Sequence, residues 1–192
     1  MSKERRPTEL RTPEFRVSYP SVFKPKLNTL ADTPKYEYIV DALFPKSTDM
    51  SPFEDAIQAA IKDRWGTKAP KKMRLPIKDG DEMENPEYAD HYVITFKSNE
   101  NYKPNVVGTK KDMSGKFIAL TSEKEFYGGC FARAIVNAFA YDNPANKGVS
   151  FGLGNIQKTK DGERFGGGYS EAEQDFDDTV ESDDADDASD FG

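Results

Sequence analysis

From Cys130 to Tyr141 apolar and other residues alternate with the period of a β-strand. Cys130, Ala132, Ala134, Val136, Ala138 and Ala140 fall on one face, small and apolar throughout. Phe131, Arg133, Ile135, Asn137, Phe139 and Tyr141 fall on the other. That second face mixes rings with a cation and an amide, which suits a surface that stacks bases better than a buried or an ordinary solvated face. An amphipathic strand lying under another element, with Arg133 reaching out to solvent, is the competing reading. The turn formers Asp142 to Asn146 predict a hairpin back through Lys147 to Gln157. Gly148, Gly152 and Gly154 then mark bulges, barrel corners or a close approach of backbone, as do Gly128 and Gly129 at the hairpin's entrance. Gly166-Gly167-Gly168 reads as a flexible joint.

Upstream, Phe15 to Phe23 alternates as a first strand, edge-like at Pro20, with Tyr19 and Phe23 as stacking candidates. Lys24-Pro25-Lys26 opens a loop that ends at Pro34. Tyr36 to Phe44 is a second strand, with Tyr36, Tyr38, Val40 and Ala42 on one face. Ser51, Pro52 and Glu54 read as a capping box for a helix that stops at Gly66, with Phe53, Ala56, Ile57, Ala60, Ile61 and Trp65 on one stripe. Trp65 reads as core more readily than as a DNA platform. Residues 66 to 90 are loop-like, and their basic half (Lys68, Lys71, Lys72, Arg74, Lys78) suits a phosphate backbone. The acidic half lacks the spacing of a calcium loop. His91 to Phe96 is a further strand, and Val106-Val107 and Lys116 to Leu120 are short strands around a Lys110-Lys111 loop. Five or six strands and one helix predict a mainly β fold, a small OB-like barrel with insertions.

Charge divides the 192-residue chain. Its net charge is −7, but residues 171 to 192 carry 11 of the 34 acids and no base, which leaves about +4 on residues 1 to 170. A mildly basic body with an intensely acidic tail suits DNA binding; a tail that only keeps the protein soluble is the plainer reading. Domain boundaries follow: a disordered basic arm over 1–14, an OB-like nucleic-acid-binding domain over 15–168, and a disordered acidic tail over 169–192. No apolar run approaches a membrane span and no secretion signal is present, so a cytoplasmic protein without membrane contact is expected. One Cys and one His exclude an internal disulfide and argue against structural zinc.

Tyr127-Gly128-Gly129-Cys130-Phe131-Ala132-Arg133, Asn137, Lys147-Gly148-Val149, Gly152-Leu153, Asn155, Gln157-Lys158 and Asp161-Gly162-Glu163 together resemble the signature of a bacteriophage single-stranded DNA-binding protein family with an OB-type fold. The likeness continues in Arg16 to Tyr19, Tyr36 to Lys46 and Asp79 to Asp81. It implies DNA replication or recombination in an infected bacterial cell, with self-association on DNA as a further expectation. Residue pattern and resemblance together nominate Arg16, Tyr19, Phe23, Lys24, Lys26, Tyr36, Phe131, Arg133, Asn137, Phe139, Tyr141 and Lys147 as DNA contacts. Many phage and bacterial single-strand binders end in acids and a terminal aromatic, which points to Asp186, Asp187, Asp190 and Phe191 as contacts for replication proteins. Here Phe191 is penultimate and Gly192 carries the carboxylate, a departure from that pattern.

No P-loop, nucleophile elbow or positioned His pair is present, so catalysis and a cofactor are not expected. A virion or scaffold protein and an RNA-binding OB module are the rival classes. The ringed, cationic strand face speaks against the first, and stacking alone does not separate DNA from RNA.

Overall fold

The computed structural model describes residues 3–30 and 33–167. Its strands are β1 (Glu9–Arg11), β2 (Phe15–Asn28), β3 (Lys35–Pro45), β4 (Lys78–Asp79), β5 (His91–Asn99), β6 (Val106–Lys111), β7 (Phe117–Ala119), β8 (Phe131–Asp142) and β9 (Lys147–Lys160); the helix is α1 (Ser51–Trp65). β2 pairs with β3, β3 with β5, β5 with β9, β9 with β8, and β8 again with β2. This closes a ring. Only the β5–β9 pairing within it is parallel. Numbering the ring strands one to five in chain order gives 1-2-3-5-4, the connectivity of an OB barrel, and closure leaves the ring itself without an open edge. β1 adds to β8, β4 to β5, and the β6–β7 hairpin to β9.

The interior follows from the alternation. Cys130, Ala132, Ala134, Val136 and Ala138 of β8 are buried, as are Val149, Phe151, Leu153 and Ile156 of β9. Five phenylalanines close a cycle of ring contacts: Phe15 to Phe44 at 5.6 Å, Phe44 to Phe53 at 5.0 Å, Phe53 to Phe151 at 5.7 Å, Phe151 to Phe96 at 6.1 Å and Phe96 to Phe15 at 5.8 Å. They come from β2, β3, α1, β9 and β5, so the helix plugs the barrel through Phe53. Tilted and edge-to-face pairs contribute about 0.5–1.5 kcal/mol each beyond their buried area.

Several expectations need correction. There are nine strands among the described residues rather than five or six, because two- and three-residue strands leave no readable alternation. The arm over 1–14 is not wholly free: β1 pairs with β8, Leu10 is buried, and Thr12 N–H donates to the Ala134 carbonyl. Its pattern is too short to read, and its partners, Ile135 to Asn137, lie far downstream. Lys24 and Lys26 lie within β2 instead of opening a loop, and Lys110 and Lys111 lie within β6, the turn falling at Asp112 to Lys116. The helix lacks a capping box. Met50 is its N-cap, and the Asp49 carboxylate accepts from the Ser51 N–H and hydroxyl. Trp65 is half-buried and stands outside the core cluster, its indole N–H donating to Asp142 Oδ2 at 2.9 Å. Asp142 is a strand residue paired with Lys147, so the hairpin loop is Asn143 to Asn146.

Two glycines are required by the chain's own crossings. Gly148 leaves room for the Arg74 carbonyl, where residues 66–77 strap across the foot of the hairpin, Arg74 N–H donating to the Lys147 carbonyl and Val149 N–H to that of Arg74. Gly129 has φ +112°, and a Cβ there would collide with the Glu163 carbonyl. Gly166 and Gly167 belong to a 3₁₀ turn over Phe165–Gly167, anchored by Phe165 N–H on the Gly128 carbonyl, while Gly168 and the acidic tail lie outside the described residues. Gly129→Ala should therefore lower stability by at least about 1–3 kcal/mol, read as a drop in the urea midpoint, whereas Gly115→Ala, with open space around it despite its positive φ, should cost less.

Candidate nucleic-acid interface

OB barrels present oligonucleotides with the outer face of their second and third strands and the flanking loops, here β3 and β5. Part of that face is covered by the chain itself. Tyr88 is buried against Leu43 and Val93, with its hydroxyl 3.0 Å from Ser18 Oγ and donating to Asp41 Oδ2 at 2.7 Å, while Thr95 donates to Asp41 Oδ1 at 2.6 Å. Burial pushes the Tyr88 phenol well up, with Asp41 adding to the rise against an opposing bond from Ser18. The face left open runs from Ile39 on β3 through Lys97 on β5 and Gly152 on β9 to Asn137 on β8, a single register row. Gly152 gives this row a floor of backbone, bordered by the ring of Phe139, 3.9 Å from where a Cβ would stand.

The nominated residues divide into two sets. Tyr19, Tyr36 and Phe139 are 68%, 50% and 46% exposed, and Lys24, Lys26 and Lys147 are exposed as well. These are available to a ligand. Tyr19 also has φ +44°, a left-handed conformation that costs a non-glycine residue roughly 1–2 kcal/mol. An exposed ring held in strained backbone is a mark of function more than of packing. Lys147 Nζ lies 3.4 Å from Asp142 Oδ1, and the Asp142 carboxyl is held below its usual range first by the Trp65 indole and then by Lys147.

The second set is engaged by the fold. Arg16 donates from Nε to the Gly129 carbonyl at 3.2 Å and from a terminal nitrogen to the Glu163 carbonyl at 2.7 Å, with its guanidinium 4.2 Å from the Phe165 ring centre. It clamps the end of the folded chain. Phe23 packs edge-on against the buried Phe126 at 6.5 Å. Asn137 Oδ1 accepts from Thr8 and so holds the N-terminal segment. Phe131 carries Lys160 over its ring at 4.6 Å and Arg16 at 5.8 Å. Arg133 donates to Gln157 Oε1 at 2.8 Å, which leaves its terminal nitrogens without a bond to any described residue. Tyr141 is half-buried, its hydroxyl beside Gly148. Asp186, Asp187, Asp190 and Phe191 lie outside the described residues.

Sequence reasoning missed Lys97 and a second cluster. Extending the β5 alternation one residue past Phe96 would have put Lys97 on the open face. The cluster is Tyr127 with Arg164 over its ring at 4.0 Å and Lys158 at 5.1 Å. Tyr127 donates to Asp161 Oδ1 at 2.9 Å and Lys158 Nζ lies 2.6 Å from the same oxygen. Burial, then Asp161, push the Tyr127 phenol up, while Lys158 and then Tyr127 hold the Asp161 carboxyl down. Only folding brings these residues together, 127 on one strand's approach and 158–164 on another's exit. Burial likewise raises the Cys130 thiol, an inert core sulfur at 0% exposure. Among the described residues no group of three His, Cys, Asp or Glu side chains could hold a metal ion.

A closed OB ring whose outer face carries free rings and lysines is the architecture of an oligonucleotide-binding protein. A family model described as Enterobacter phage Enc34, ssDNA-binding protein, matches residues 8–188, and the chain belongs to that family. Protein p50 of Acyrthosiphon pisum secondary endosymbiont phage 1 is 30% identical over 175 residues, covering 85% of this chain and 89% of the relative. The solved single-stranded DNA-binding protein from bacteriophage Enc34 in complex with ssDNA is 27% identical with a TM-score of 0.68, over 83% of this chain and 90% of that one. The fold is shared with gp2.5, a single-stranded DNA-binding protein encoded by bacteriophage T7, at a TM-score of 0.56 and 16% identity over 91% and 96% of the two chains.

If Tyr19 is retained for its ring against its backbone, Tyr19→Gly should raise stability by up to about 1 kcal/mol once the added freedom of the unfolded chain is deducted, read as a higher urea midpoint.

Proposed function

We propose that this chain binds single-stranded DNA with little sequence preference, as a replication or recombination protein of a phage in the cytoplasm of its bacterial host. The observation that carries this reading is the split of β8: its small residues lie in the core while Phe139 stands exposed beside Gly152 and the Lys97 row, in a chain of the Enc34 single-stranded DNA-binding family. Bases stack on Tyr19, Tyr36 and Phe139, because every base offers a π-face and stacking is therefore tolerant of sequence. Phosphates meet Lys24, Lys26, Lys97 and Lys147, joined by Lys71 and Lys72 of the strap, which is held against the hairpin foot through Arg74. Arg16 and Phe23 support the scaffold rather than touch DNA, and Asn137 ends the open row while its amide oxygen holds Thr8.

The acidic tail deepens this reading. With eleven acids on residues 171–192 joined to a basic body, it lies over the lysines in free protein and is displaced by DNA, which leaves it for replication partners through Asp186, Asp187, Asp190 and Phe191. A tethered competitor acts at millimolar effective concentration and is screened by ions.

In fluorescence polarisation with oligo-dT, Phe139→Ala and Tyr36→Ala should each weaken binding by about 1–3 kcal/mol with unchanged thermal stability. Unaltered affinity in both variants, or tighter binding of RNA or duplex than of oligo-dT, would remove the assignment. Deleting residues 171–192 should tighten binding to oligo-dT, most at low salt and least at high salt. Equal affinities of the full and shortened chains at low ionic strength would end the competition model.

A further inference from the structure

One part of the fold is needed neither to close the barrel nor to build the face already described. β6 pairs with the ring only through Val106 and Val107, opposite Ile156 and Gln157 of β9, with one side-chain bond at Gly108 beyond them, and β7 pairs with β6 alone. Every residue from Thr109 to Ala119 is exposed. The pair is thus a ribbon standing off the barrel with both faces in solvent. Such a ribbon has little stability of its own, yet it carries Phe117 and Ile118 at 44% and 45% exposure.

Its charge says what covers it. Lys110, Lys111 and Lys116 oppose a single acid, Asp112, whose Oδ1 is occupied by the turn: it accepts from the Ser114 N–H and hydroxyl and from the Lys116 N–H. None of the three lysines has an ion pair among the described residues. Lys111 Nζ stands 4.9 Å from the centre of the Phe117 ring, its register partner across the ribbon. Unpaired cations around an exposed ring match a flexible polyanion with stackable bases better than an apolar protein surface.

The ribbon is also tied to the open face. Arg133 on β8 donates to Gln157 Oε1 at 2.8 Å, and Gln157 Nε2 donates to the Gly108 carbonyl of β6 at 3.1 Å. The register runs the same way, Arg133 to Gln157 to Val107. A strand lying along the outer side of β8 is therefore led across β9 onto the ribbon without a gap in the sheet.

We propose that the β6–β7 ribbon is a second segment of the single-stranded DNA site, a wing that holds phosphates with Lys110, Lys111 and Lys116 and one base against Phe117. This rests on the reading of the protein as a single-stranded DNA binder. The test uses the full chain, a Lys110→Gln/Lys111→Gln/Lys116→Gln variant and Phe117→Ser, all at exposed positions, with folding checked by thermal melting and mass by sedimentation. Salt dependence of binding to poly-dT should flatten by about 2 in the log–log slope for the triple variant, at roughly 0.7 per phosphate. Its occluded length, from stoichiometric titration, should shorten. Phe117→Ser should weaken poly-dT binding several-fold, and both variants should match the parent on an oligo-dT too short to span face and wing. A parent that binds poly-dT while the variants keep its slope, affinity and occluded length overturns the wing and spares the barrel face. So does a variant whose only change is a lower mass in sedimentation, which would make the ribbon a contact between copies. A parent with no affinity for poly-dT overturns the underlying reading as well.

Discussion

The cycle of Phe15, Phe44, Phe53, Phe151 and Phe96 is the contact on which the rest depends. A five-stranded ring needs its first, second, third and last strands held at fixed tilt, and these rings come one from each of those strands and one from the helix that closes the bottom. Edge-to-face packing is directional, so the cycle fixes relative orientation as well as burying area. The fourth ring strand, β8, contributes alanines instead. Small residues on its inner face let it approach the large rings of its neighbours at native packing density.

That division of volume has a consequence for function. Because β8 fills little of the core, its bulky residues face outward, and there the glycines of β9 leave space beside them: Gly152 lies at Phe139 and Gly148 at Tyr141. Segment 80–90 covers part of the usual OB face through Tyr88, and the strap at Arg74 flanks the other side of the hairpin. What stays open is a band across β3, β5, β9 and β8, continued by the ribbon. The electrostatics agree with this band. Two acids flank the row on β3: buried Glu37, whose carboxyl burial pushes up, is brought below its usual range by hydrogen bonds from Asn28 and Lys35, and Asp41 is engaged by the Tyr88 and Thr95 hydroxyls.

The sorting of the candidate contacts shows how one residue type serves two ends. Arg16 and Lys97 are both cations on outward strand positions. Arg16 meets two backbone carbonyls and a phenylalanine face because the chain returns to it at Glu163 to Phe165, whereas Lys97 faces a glycine. Tyr19 and Phe23 lie four residues apart on one strand, yet Phe126 covers the second and nothing among the described residues covers the first to the same degree.

Local periodicity determined what local periodicity can carry: the β8–β9 hairpin and its two faces, the β3 and β5 strands, the helix and its apolar stripe, and the contrast between a basic body and an acidic tail. The hairpin was legible because strand alternation persists there for a dozen residues and the turn chemistry is strong. β1, the strap, the segment over β3 and β5, and the clamp at Arg16 were not, because each is decided by a partner scores of residues away and leaves two or three residues of pattern. The same holds for the open row. Ile39, Lys97, Gly152 and Asn137 are unremarkable as types, and they become one surface only when ring closure sets β5 parallel to β9 and fixes their register.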